Sequence, residues 1–191
     1  MIALHNTAER YGAVAQFFHW TIVALVIVQV TLGLMAQGLP IGMERLILLS
    51  RHKALGMTVF VLVLARLAWR LYSPAPPLPA TLSPLLRRLA RGTHALLYAL
   101  LLAMPVMGWL SSSASNLTAT WFGLFEFPNL VGPDPRLAAI TKAIHAGMAR
   151  LLLATVTLHV LAALWHHTVR RDDVLWRMLP FVRRPSRPKM P

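Results

Sequence analysis

The chain has 191 residues, 57% of them hydrophobic and only 13% charged, with a mean hydropathy of +0.58. Soluble domains run about 45–50% apolar and about 25% charged, so this composition excludes an ordinary water-facing domain and points to a bilayer. The net charge of +13 sits in connectors and tail beside long apolar runs, which argues against nucleic-acid binding, and the absence of cysteine removes disulfides, thiolate metal ligation and cysteine-held iron–sulfur clusters.

In chain order, Glu9 and Arg10 precede a first apolar run from about Ala13 to Ala36. It is long enough to span and is read as a retained helix, not a cleaved leader. A second run covers about His52 to Tyr72, ended by the proline-dense Ser73–Pro79, a stiff extended connector. A third covers about Thr93 to Ser112, with a kink expected at Pro105. After a break at Asn129–Pro135, a fourth covers about Lys142 to Thr168. Each is near the roughly 20 residues that cross a hydrocarbon core. The expectation is one all-α domain over residues 1–191, an integral membrane four-helix bundle. Its basic, proline-rich tail, 170–191, is expected to lie along an anionic lipid surface or stay unstructured. Of the 19 Lys and Arg residues, 13 fall on the side of both termini, so the positive-inside rule puts both termini in the cytoplasm.

Eight histidines are present, and ionisable side chains inside membrane helices mark functional sites. His145 and His159 stand fourteen residues apart on the fourth run. They face within about 40° of one another, about 21 Å apart along the axis. That spacing is useless for one compact metal site and suits two centres stacked at two depths. His52 opens the second run at the outer surface, level with His145. His19 lies toward the inner end of the first run, level with His159, and His94 opens the third run on the inner side. A haem iron in an electron-transfer site takes an axial ligand on each face, which two neutral imidazoles on facing helices supply. The expected pairs are His52 with His145 and His19 with His159. His94 is left as a competitor at the inner site or a hydrogen-bonding partner for a haem propionate. His5 is expected to have no role, and His166 and His167 to face lipid headgroups.

Arg66 follows His52 by fourteen residues and shares its face at inner depth, as a propionate partner or a snorkelling anchor. Arg150, below His145, calls for a propionate or a quinone carbonyl. Arg51, Lys53 and Lys142 surround the outer ligands and can steer an anionic partner. Gly33, Gly56, Gly108 and Gly147 allow a flat ring or a neighbouring helix close to the backbone.

Together these residues resemble the bacterial cytochrome b561 family over roughly Tyr11 to Pro180. The motifs are His19-Trp20, His52-Lys53-Ala54-Leu55-Gly56, Arg66 to Arg70 with the prolines that follow, and His94 with Met104-Pro105-Val106-Met107-Gly108. Trp121-Phe122-Gly123-Leu124, Lys142 to His145, His159, His166-His167 and Asp172 to Pro180 complete them. The resemblance implies two b haems per chain, a multi-pass position in the bacterial inner membrane, and electron exchange with ubiquinone, including oxidation of superoxide at the outer face. It carries His19, His52, His145 and His159 to the ligand positions and Lys142 to a basic position near the outer haem. Arg150 departs from the neutral polar residue expected there.

The leading expectation is a dihaem carrier from an outer donor, possibly superoxide, to the ubiquinone pool, with no side chain cast as acid, base or nucleophile. The alternative is a membrane-anchor cytochrome subunit relaying electrons from a partner dehydrogenase or hydrogenase. A haem-free metal-ion transporter is disfavoured by the lack of intramembrane carboxylates.

Overall fold

The computed structural model describes residues 3–79 and 82–180, so the expectation for the tail beyond residue 180 lies outside the described residues. In order, the elements are α1 Ala13–Gly38, α2 Met43–Tyr72, α3 Pro84–Ala114, a two-stranded hairpin of β1 Thr120–Trp121 and β2 Phe125–Glu126, and α4 Pro135–Thr168. All four helices are long and apolar enough to cross a membrane, where every backbone polar group must find its partner within the segment. The protein is an all-α membrane bundle.

The starts of α3 and α4 are capped by side chains. Ser83 Oγ accepts from the Leu86 amide with Pro84 at the first helical position. The Asp134 carboxylate accepts from the Arg136 and Leu137 amides at 2.9 and 3.0 Å ahead of α4. Helices α2, α3 and α4 all begin before the apolar runs, α2 without a side-chain cap, and His52 and His94 lie nine or ten residues inside their helices instead of opening them. At 34 residues, α4 is about 51 Å long, against a hydrocarbon core of about 30 Å.

Helix α1 packs along α2, α3 along α4, and α2 against α3, while the backbones of α1 and α4 stay apart among the described residues. The core is Ile22, Val59 and Val63, flanked by Leu25, Leu62, Tyr98 and Leu101. Large apolar side chains elsewhere point outward, with Ile27 63% and Leu158 59% exposed, as a lipid-facing surface permits.

The inner end is tied together by chain segments far apart in sequence. Asn6 Nδ2 donates to Ser73 O at 2.7 Å, Arg10 Nη2 to Leu179 O at 2.7 Å, Trp20 Nε1 to Met178 O at 2.9 Å and Arg177 Nη1 to Pro77 O at 2.8 Å. Three histidine expectations change here. His5 is not idle: it stacks on Trp69 at 5.2 Å and meets Tyr72 at 5.6 Å. His166 pairs with Asp172 at 2.5 Å, and His167 packs on Trp176. The stretch up to residue 180 folds back under the bundle instead of running off along the surface.

At the outer end the hairpin turns through Phe122 and Gly123, with φ of 50° and 77°. The turn bends back into the bundle, where Trp121 Nε1 donates to Thr58 Oγ1 at 3.1 Å and Trp109 Nε1 to Pro128 O at 3.0 Å.

Candidate cofactor site

Two histidine pairs face each other at two depths. At the outer depth the His52 and His145 rings have centroids 6.2 Å apart, at 72° to each other. His52 Nδ1 lies 3.0 Å from Gln29 O on α1, and His145 Nδ1 lies 3.0 Å from Met104 O on α3. A carbonyl only accepts, so in both rings Nδ1 carries the proton and Nε2 keeps its lone pair. An anchored Nδ1–H that orients the ring and raises its basicity is the usual arrangement behind a metal-binding imidazole.

The two clamps are built alike. Four residues beyond each carbonyl stands a glycine: a Cβ on Gly33 would lie 3.2 Å from His52 Cε1, and one on Gly108 would lie 3.4 Å from His145 Cε1. A Cβ at Gly33 would press on its imidazole, and one at Gly108 would touch its own, so larger side chains would crowd both rings. Gln29 adds a second hold, its Nε2 donating to His52 O at 2.9 Å, and Gly56 leaves room for that amide. A small cleft opens beside the pair, lined by Gln29, Lys53, Met57 and Trp109 among others.

At the inner depth His19 faces His159 at 6.4 Å and 78°, and His94 approaches His159 more closely, at 5.4 Å. Arg66 Nη1 lies 3.1 Å from His19 Nδ1. Arg66 and Arg70 both lie over the Tyr98 ring, at 5.8 and 5.9 Å. Asn6, Tyr11, Trp69 and Tyr98 join the two arginines around a second small cleft.

Metal–imidazole bonds are about 2.0–2.1 Å, so two rings trans to one another on a single iron have centroids about 6 Å apart. The 6.2 and 6.4 Å separations match that distance, and 5.4 Å is short of it. Neutral imidazoles in facing pairs, with glycines beside the outer rings, fit a porphyrin iron held from both sides. Among the described residues no three His, Asp or Glu side chains converge as a bare metal ion would require.

The other expected residues distribute unevenly. Lys53 is drawn inward, its Nζ donating to Ser112 Oγ at 3.1 Å and Thr118 O at 3.2 Å. Arg51 and Lys142 are exposed at the outer end. Arg150 is exposed on α4 and is not brought to either pair. Five residues after His145 is about 140° round a helix, which turns it away from the ligand face. A Cβ on Gly147 would meet nothing within 4 Å, so no close approach depends on it. Sequence reasoning missed Gln29, Arg70 and Tyr98. Gln29 did leave a signal, as a lone amide within an apolar run.

A sequence model of the family described as prokaryotic cytochrome b561 matches residues 10–181. The chain is 34% identical to cytochrome b561 homolog 2 of Escherichia coli (strain K12), over 91% of this chain and 93% of that protein. It is 29% identical to the probable superoxide oxidase CybB of Yersinia pestis, over 90% and 97%. It is 30% identical to cytochrome b561 homolog 1 of E. coli (strain K12), over 90% and 98%.

Proposed function

The chain belongs to the prokaryotic cytochrome b561 family, and from that premise we propose that it carries electrons through two stacked b haems, from a donor at the outer face to ubiquinone. Membrane electron transfer with b-type haem is the family's activity, and the four spanning helices make this a multi-pass bacterial membrane protein. The finer reading rests above all on one observation: two facing histidine pairs with ring separations of 6.2 and 6.4 Å, stacked along the bundle.

In this reading His52 and His145 hold the outer haem, and His19 and His159 the inner one. His94, 5.4 Å from His159, acts as a neighbour to that ligand. When bound, haem supplies reversible one-electron chemistry. The chain does the rest. The four imidazoles would hold the two haems and keep them to electron transfer. The carbonyls of Gln29 and Met104 fix the outer rings. Trp109, Trp121 and the surrounding aliphatic residues exclude water. Arg51, Lys53 and Lys142 place positive charge at the outer end, which raises the local concentration of an anionic donor.

Superoxide is such a donor, and a relative bears the name probable superoxide oxidase. Each superoxide would give up one electron and leave as dioxygen, and two electrons with two protons would convert ubiquinone to ubiquinol. The distribution of Lys and Arg supports a place in the inner membrane with both termini in the cytoplasm.

The test is a reduced-minus-oxidised spectrum with haem quantitation on the purified chain and its His→Ala variants. Two b haems per chain are expected, falling to one in His52→Ala and in His19→Ala and staying at two in His94→Ala. A single haem indifferent to His52→Ala would overturn the assignment. Ubiquinone-dependent consumption of superoxide by the purified chain tests the donor separately.

A further inference from the structure

We propose that Arg66, supported by Arg70, is a positioning residue that sets the direction of electron flow: it makes the inner haem site the better electron acceptor, so electrons run from the His52–His145 site to the His19–His159 site. This rests on the dihaem reading above.

The two sites differ in what stands behind their ligands. Each outer imidazole has a backbone carbonyl on Nδ1, at 3.0 Å from Gln29 O and from Met104 O. A carbonyl there pushes electron density through the ring toward the metal and favours the oxidised, more positive iron. The nearest outer cation, Lys53, is engaged with Ser112 Oγ and Thr118 O.

The inner site is arranged the opposite way. His19 Nδ1 has the Arg66 guanidinium at 3.1 Å and no carbonyl. A ligated His19 keeps its proton on Nδ1, and a guanidinium only donates, so Arg66 then faces the ring as a charge instead of a hydrogen-bond partner. So arranged, His19 lacks the electron-pushing acceptor and has a cation beside it. Arg70, one turn further along α2, adds a second positive charge over the same Tyr98 ring.

Among the described residues no ion pair joins a carboxylate side chain to either arginine. The chain has six acidic residues, and the ion pairs of the described residues join Asp172 to His166 and Asp173 to Arg177. Positive charge in a half-buried, low-dielectric setting favours the reduced iron, since reduction removes a positive charge from its vicinity. The sites lie about 21 Å apart along α4, so each responds chiefly to its own surroundings.

Potentiometric titration of the full chain, followed at the haem absorbance bands, tests this. His52→Ala, which removes the outer centre, identifies the inner wave. The expected result is two waves with the inner one at higher potential. Arg66→Leu should lower the inner wave by about a tenfold change in the reduced-to-oxidised ratio, ~59 mV for one electron, with the outer wave in place. Arg66→Lys should keep most of the difference, and Arg70→Gln should lower the inner wave by less. An inner wave below the outer one, or an inner wave unmoved by Arg66→Leu, overturns the proposal. Should Arg66→Leu lose the inner haem, the other two variants decide: the proposal fails if Arg70→Gln leaves the inner wave unmoved or if Arg66→Lys lowers it as much as Arg70→Gln. A chain with one haem sinks the dihaem reading itself, whereas two haems with unmoved potentials sink only this inference.

Discussion

An imidazole tied to a carbonyl by one nitrogen has its other nitrogen aimed, and the aim is good only if nothing crowds the ring. Gly33 and Gly108 keep that space on α1 and α3. Replacing Gly108 with Val should displace His145 and remove the outer haem, leaving the inner one, so haem per chain falls by about half while the helices survive. Pyridine-haemochrome quantitation beside circular dichroism reads both. The histidines were legible in the sequence because an ionisable group inside an apolar helix needs a reason to be there. The carbonyls of Gln29 and Met104 were not, since a backbone group has no residue signature. Arg150 was read from depth alone, without angle. Its position five residues past His145 already turned it away from the ligand face.

At the level of elements, hydropathy reports the thickness of the bilayer and not the length of a helix. The second, third and fourth runs were legible as spans, but α2, α3 and α4 start earlier, where caps and good helix formers such as Glu44, Arg87 and Ala90 carry the backbone beyond the apolar zone. The outer hairpin carried a weak signal, a lone Phe-Gly between aromatic residues. In the structure Phe122 adopts a left-handed conformation that costs roughly 1–2 kcal/mol for a residue with a Cβ. The Trp121–Thr58 hydrogen bond, with the aromatic cluster of Trp109, Phe125 and Phe127, holds the turn against the bundle. Trp121→Ala should release it. The expected outcome is faster reduction of the outer haem by a small water-soluble reductant in stopped-flow absorbance, with haem content unchanged. An unaltered rate would mean that the hairpin does not limit access.

For the whole molecule, two antiparallel pairs, α1–α2 and α3–α4, meet through α2 and α3. Each pair builds the same local device: a carbonyl and a glycine four residues apart on one helix, and a clamped histidine on the next. No internal repeat is evident in the sequence, because this likeness rests on two glycines and two backbone atoms. Charge, by contrast, was legible at this scale, and its outer share bears on rate. Arg51 and Lys142 are exposed beside the outer site, so the double variant Arg51→Glu/Lys142→Glu should slow the reaction with an anionic donor several-fold at low salt. It should also flatten the decline of that rate with ionic strength, while both haems are retained. Rates followed from about 0.01 to 0.5 M salt provide the check, the range over which screening between exposed charges sets in.

The ties at the inner end have a consequence for how the protein is made. Arg10 bonds to Leu179 across 169 residues of sequence, and Tyr11 and Trp20 bond to Arg177 and Met178. A chain leaving the ribosome presents α1 long before those partners exist. His145 and His159, one ligand of each proposed pair, also arrive with the last helix to be synthesised. Neither pair can be completed during early insertion, and the inner end can be latched only once synthesis has passed residue 179. On the dihaem proposal, cofactor delivery to both depths would be a late step in biogenesis, and a nascent chain stalled before α4 would be membrane-inserted but colourless.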